Sequence, residues 1–195
     1  MDLIRCGWAG KEKIYQDYHD QVWGRAVVDP KELFAKLCLD GQQAGLSWIT
    51  ILKKQANYEA AFADFEPAEI VRFNEDDVER LMQNTGIVRN RLKINSIIKN
   101  ARAYLKMQEE GIHFSDFIWQ FVDNRTVINR WSDMSQVPVS TAASDAMAKE
   151  LKKRGFTFVG STICYAFMQA VGLVNDHIVD CHCHQVCVDV ARKAD

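Results

Sequence analysis

Helix start and stop signals recur along this chain while alternating apolar patterns do not, and that punctuation points to an all-α fold. Asp29-Pro30-Lys31-Glu32 is a start signal. Asp29 suits the cap, Pro30 suits the first turn, where its missing N–H costs nothing, and Glu32 suits the far side of a capping box. Leu33, Phe34, Leu37 and Cys38 then repeat on one face as far as Asp40-Gly41, which reads as the stop. Leu46, Ile49, Ile51 and Leu52 mark a second helix, and Glu66-Pro67 opens a short one. Helices over 76–84 and 91–110 end at Thr85-Gly86 and Gly111. Helices over 115–122, 144–154 and 161–173 complete the set, with Ser144 and Ser161 as caps and Gly155 as a stop. Residues 155–160 read as a connector between helices. Residues 127–142 are the least periodic and read as a loop between two helical lobes.

With 195 residues, 48% of them hydrophobic, the chain can bury the core of one compact domain or of two lobes sharing an interior. The net charge of −2 excludes a polycation, so any contact with nucleic acid must use a local basic face. No apolar run approaches the roughly 20 residues of a membrane span. The opening Met1-Asp2-Leu3-Ile4-Arg5-Cys6-Gly7-Trp8 lacks an apolar signal core, which makes the cytoplasm the expected compartment.

Of six cysteines, four stand among histidines near the two ends, a mixture that in a reducing compartment reads as metal ligands or buried thiols. Cys38 and Cys164 fall inside apolar helical patterns and read as core. Cys6 and His19 lie at one end, and His177 and Cys181 at the other, followed by His182, Cys183, His184 and Cys187. Four ligands of this type make a closed tetrahedral zinc site, structural because no position is left for water. His177 and Cys181 share a face if their segment is helical. Cys6 and His19 are too far apart for a finger knuckle, and spacing alone leaves the choice of ligands in the tail open. A metal there would close the loop between two chain ends that otherwise fray.

Trp8, Tyr15, Tyr18, Trp23 and Trp48 crowd the first quarter of the chain. Asp40 to Trp48 joins two apolar helices through a polar centre with two glycines, which suits a backbone that approaches something closely. Core packing and a stacking pocket both account for the aromatics. Asn84 to Ile94 turns at Gly86 and becomes basic at Arg89, Arg91 and Lys93, as a phosphate-binding helix start or a solvated face would. Lys149 and Lys152-Lys153-Arg154 form a second basic edge.

Several of these segments match a known family as runs: Cys6-Gly7-Trp8, Tyr18-His19-Asp20 with Trp23-Gly24, Gly41 to Trp48, Lys152 to Phe156, and Val174-Asn175-Asp176-His177. From Cys6 to about Cys183 the chain resembles the bacterial type I 3-methyladenine DNA glycosylases. The resemblance implies a helix-hairpin-helix glycosylase-like fold: a single domain over 1–195 with its hairpin at about 84–94. It implies one structural Zn2+ joining the ends 6–19 and 177–181, with Cys6, His19, His177 and Cys181 as ligands. It places a flipped base among Tyr15, Tyr18, Trp23 and Trp48, beside the carboxylate of Asp40. Gly45 and Leu46 match the wedge that enters the duplex, and Gly86, Arg89, Arg91 and Lys93 the backbone contacts.

The implied activity is base-excision repair. The N-glycosidic bond of 3-methyladenine, and of 3-methylguanine as a second substrate, is hydrolysed in alkylated double-stranded DNA by a monomer, releasing the free base and leaving an abasic site. The chemistry is coherent, because a buried base must be extruded to be reached, and an adenine methylated at N3 is cationic and drawn to aromatic faces. No lysine falls in the implied pocket, which makes the enzyme monofunctional, without a Schiff base. One departure stands out: where the family carries glutamate, this chain has Asp40, one methylene shorter. That leaves a second reading, a non-catalytic module that binds alkylated or abasic DNA. Asp116 takes no role in either.

Overall fold

The computed structural model describes residues 3–193. A short 3-10 turn, Gly7–Ala9, precedes α1 (Lys13–Gln21). Then follow α2 (Pro30–Gln43), α3 (Trp48–Leu52), α4 (Gln55–Ala61), α5 (Pro67–Ile70), α6 (Glu75–Met82) and α7 (Arg91–Glu109). After them come α8 (Phe114–Trp119), α9 (Ala142–Lys153), α10 (Ser161–Ala170) and α11 (His182–Asp189). None of the described helices is long and apolar enough to cross a membrane.

α2 is the axis of the molecule. It packs on α3 and α7 on one side and on α8 and α10 on the other, so both groups of helices share one continuous core. Leu33, Phe34, Leu37, Cys38 and Leu39 fill that contact, all at most 3% exposed. Its start is as the sequence predicts, with the Asp29 carboxylate accepting from Glu32 N at 2.8 Å. Its end is not. The helix continues through Asp40-Gly41 to Gln43. Gly41 is there for close packing rather than as a stop, since a Cβ would lie 3.2 Å from both the Cβ and the carbonyl oxygen of Phe158. Asp40 is therefore an interior helical residue, one turn after Lys36.

Two caps also differ from expectation. Thr141, not Ser144, caps α9, and Gly160, not Ser161, precedes α10. Ser144 is instead the third residue of a capping box, donating from its buried hydroxyl to Thr141 O at 2.9 Å and lying 2.8 Å from the Ser161 hydroxyl, which ties two helix starts together. Leu46 lies before α3 rather than in it.

The aperiodic stretch 127–142 is not only a loop. Val127–Ile128 (β1) pairs in parallel with Val174–Asn175 (β2), in the register Val127 to Val174 and Ile128 to Asn175. Two residues are too few for alternation to show in sequence. The pairing brings Asn129 and Trp131 onto the fully buried Asp176, whose Oδ1 accepts from them at 2.7 and 2.8 Å, while its Oδ2 accepts from Tyr165 at 2.6 Å and Gln169 at 2.9 Å. A buried carboxylate with four donors fixes its neighbours firmly, and the residue after it is His177.

Candidate base pocket and metal centre

Cys6, His19, His177 and Cys181 converge in the interior, with each side chain at most 4% exposed. Cys6 precedes the first 3-10 turn and His19 sits on α1. His177 and Cys181 do not lie on one helical face, as four-residue spacing suggested. They flank a turn, and Cys181 caps α11, its sulfur accepting from Cys183 N at 3.4 Å.

The donor set fits a tetrahedral metal. Cys6 Sγ to His177 Nδ1, Cys181 Sγ to His177 Nδ1 and Cys181 Sγ to His19 Nε2 are each 3.5 Å. A tetrahedron with metal–sulfur bonds of about 2.3 Å and metal–nitrogen bonds of about 2.0–2.1 Å has a sulfur–nitrogen edge of about 3.5 Å. The outer nitrogens are engaged in the matching sense. His19 Nδ1 lies 2.8 Å from Asp20 Oδ1, and His177 Nε2 lies 3.1 Å from Trp23 O. Donation at those two atoms leaves the inner lone pairs of both rings aimed at the thiols. Arg5 clamps Asp20 from the other side, Nη2 to Oδ2 at 2.7 Å, and holds that carboxyl below its usual range, with His19 acting in the same direction. The Cys181 thiol is shifted down by the neighbouring Cys183 and Cys6 side chains and then by His177 and His19, against desolvation.

Gly24 packs against this cluster at φ +82°, with the position of a Cβ 3.0 Å from His177 Nε2 and 3.4 Å from Cys187 Sγ. Gly24→Ala is expected to combine backbone strain with displacement of His177, at a cost of about 2 kcal/mol, so that thermal unfolding shifts down by roughly 5 °C. An unchanged Tm would show that the glycine is not needed there.

Trp8 and Trp23 form the wall between this cluster and a cavity of about 180 Å³. The Trp23 ring meets His177 edge-on at 4.6 Å and Trp8 at 5.0 Å between centroids. Tyr15, Tyr18, Trp23, Trp48 and Asp40, the five residues expected at the base, all line this cavity. A void of about 150 Å³ is enough to admit benzene, so a flat aromatic ring is a reasonable guest. Tyr18 and Trp48 lie 5.4 Å apart. Burial pushes the Tyr18 phenol well above its ordinary range, so it stays a neutral hydroxyl.

The structure corrects one expectation here: a lysine does line the cavity. Lys36 reaches from the turn before Asp40, with Nζ 2.5 Å from Asp40 Oδ1 and 3.6 Å from the centroid of the Trp48 ring. Burial pushes the Asp40 carboxyl up and the Lys36 ammonium down, and the attraction between them offsets both shifts in part. Two polar atoms of the cavity lining, Asp40 Oδ2 and Trp48 Nε1, are buried without hydrogen-bond partners. Gln169 and Met134, not singled out by the sequence, also line the cavity, along with Gln43, Ala166 and Ala170. A larger hollow, about 910 Å³ beside His113, Asp116 and Arg154, is an open polar groove sharing no lining residue with this cavity.

The loop from Ala44 to Ser47 projects beside the cavity. Gly45 has φ +76° and open space around it, and Leu46 is 37% exposed. Lys93, expected among the phosphate contacts, holds this loop instead. It is buried, and its Nζ donates to Gln42 O and Ala44 O at 2.7 Å each. Gln42 donates back to Lys93 O at 3.0 Å and accepts from Tyr58, whose hydroxyl in turn accepts from Val88 N at 3.1 Å. The loop and the turn between α6 and α7 thus form one bonded unit. On that turn Arg89 is exposed, while Arg91 is ion-paired with Glu75 and Glu79 of α6. Gly86 sits where a Cβ would lie 3.0 Å from Asn57 Cγ and Asn84 Oδ1.

Comparison with known proteins agrees with this arrangement over nearly the whole chain. The family model described as methyladenine glycosylase matches residues 8–184. The chain is 55% identical over 182 residues to DNA-3-methyladenine glycosylase 1 of Escherichia coli (strain K12), covering 93% of this chain and 97% of that protein. A crystal structure of 3-methyladenine DNA glycosylase I superposes with a TM-score of 0.92 at 56% identity, over 93% of this chain and 100% of the other. A variant of 3-methyladenine DNA glycosylase I, solved in complex with 3-methyladenine, superposes with a TM-score of 0.88 at 38% identity, over 92% and 97%. The chain belongs to the methyladenine glycosylase family.

Proposed function

We propose that this chain is a monofunctional DNA glycosylase that removes 3-methyladenine, and 3-methylguanine as a second substrate, from alkylated double-stranded DNA. The observation that carries this reading is the buried, unpartnered Asp40 Oδ2 at an aromatic cavity of ring size. A base turned out of the duplex enters the cavity against Trp48, with Tyr15, Tyr18 and Trp23 closing the sides. The aromatic faces favour a cationic base over neutral adenine. The Asp40 carboxylate accepts from the exocyclic amine, and Trp48 Nε1–H is a free donor for the purine edge. The base already carries the positive charge, so it leaves as a neutral molecule when its bond to the sugar breaks. Water supplies the hydroxyl to the sugar carbon, and an abasic site remains.

Leu46, raised on Gly45, fills the space the base vacates. Arg89 and the amides around Gly86 bind phosphate, and Arg91 contributes from its pairing with the glutamates. We further infer that Cys6, His19, His177 and Cys181 hold one Zn2+, which closes the chain ends and supplies no reacting group. The protein acts as a single-domain monomer, and its six buried cysteines, none in a disulfide, suit a reducing compartment such as the cytoplasm.

Lys36 makes the monofunctional reading testable. Its amine is engaged by Asp40 and Trp48, and the monofunctional reading expects no imine between it and the sugar. Incubation with methylated duplex should produce abasic sites that break only on alkaline treatment, and borohydride should trap no protein–DNA adduct. A trapped adduct would make the enzyme a lyase as well. Tight binding to the duplex without abasic sites would favour the non-catalytic reading.

A further inference from the structure

We propose that Lys36 is a specificity-determining residue: its ammonium occupies the cation site of the base pocket, and a charged base enters only as Lys36 leaves. The proposal rests on the reading of this cavity as a base pocket and deepens it. Three observations meet at one point. Lys36 Nζ lies over the face of Trp48 at 3.6 Å, the position a stacked cation would take. It is 2.5 Å from Asp40 Oδ1, so the pocket holds a neutral ion pair rather than a bare carboxylate. It also stands 6.0 Å from the centroid of the Tyr18 ring, which lines the same cavity.

A charged base and this ammonium cannot share the Trp48 face without strong repulsion. The lysine has a way out, since its side chain is 14% exposed and its four-carbon stem is flexible. Entry of any base loses the Lys36 contacts, whereas entry of a cation also has to overcome whatever positive charge remains nearby. Residue 36 therefore sets the preference between charged and neutral forms of the same alkylated purine.

The test compares two small probes by calorimetry on the intact protein: neutral 3-methyladenine, and 3,9-dimethyladenine, which is permanently cationic. Lys36→Met keeps the stem length and removes the charge. Its preference for the cationic probe over the neutral one is expected to rise by about tenfold. Lys36→Arg keeps the charge and is expected to retain the wild-type ratio. Lys36→Gln carries the same prediction as Lys36→Met if the methionine variant folds poorly. An unchanged ratio in the neutral variants, with both probes binding, overturns the role of Lys36 alone. Failure of either probe to bind any of these proteins overturns the base-pocket reading and this proposal with it.

Discussion

Asp40→Ala is expected to reduce release of 3-methyladenine on the order of 100-fold or more, in line with the loss of one buried electrostatic contact in other active sites. Metal content should be unchanged, because Asp40 shares no contact with Cys6, His19, His177 or Cys181. The fold should persist, because Lys36, freed of its partner, can extend to solvent rather than remain as a buried unpaired charge. The defect should fall on kcat more than on duplex affinity, since the groups proposed to touch the backbone lie on the Gly86 turn and the Gly45 loop. Asp40→Glu, which restores the longer side chain of the wider family, is expected to keep substantial activity. Wild-type turnover in Asp40→Ala, measured by single-turnover base release, would remove the carboxylate from the mechanism.

Loss of the proposed metal ligands is expected to have an equally large effect, on stability first. Cys181→Ala removes a ligand that contacts both histidines and also caps α11. Metal binding contributes directly to folding free energy where ligands come from distant parts of the chain, and here Cys6 and His177 are 171 residues apart. A fall in Tm on the order of 10 °C or more is expected for this variant, and a comparable fall for the native protein stripped by a chelator. The main core among α2, α7 and α10 does not include the cluster, so the helical signal should survive at low temperature. Activity should drop as well, because Trp23 packs on His177 with one edge and lines the base cavity with the other. Bound metal assayed by emission spectroscopy, alongside thermal melts, checks both points. A chelator-treated protein with no metal, an unchanged Tm and full activity would show that the cluster is only a set of buried thiols.

The sequence shows the helical architecture because capping chemistry is local. Asp29 and Pro30 start α2, and Gly111 follows the end of α7, as their residue types require. It also shows the aromatic lining, because five residues of suitable type crowd into one segment and its neighbour. What it hides depends on long-range packing. Gly41 reads as a helix stop but serves the approach of Phe158. Lys36 stands one turn before Asp40 even in the predicted helix, but its place in the cavity wall shows only once α2 is packed. Lys93 reads as a phosphate contact because it follows a glycine turn near two arginines. Its burial against two carbonyls of the Ala44 loop shows only in three dimensions. The β1–β2 pairing, and with it the four-donor seat of Asp176 beside His177, leaves no periodic trace at all.

Chromatographic measurement of the bases released from methylated duplex DNA bears most directly on excision by this pocket. The wild-type protein should release 3-methyladenine well above a protein-free control, and Asp40→Ala should release almost none over the same interval. Release by the wild-type protein indistinguishable from that control would contradict the assignment of the Asp40 cavity as an excision site.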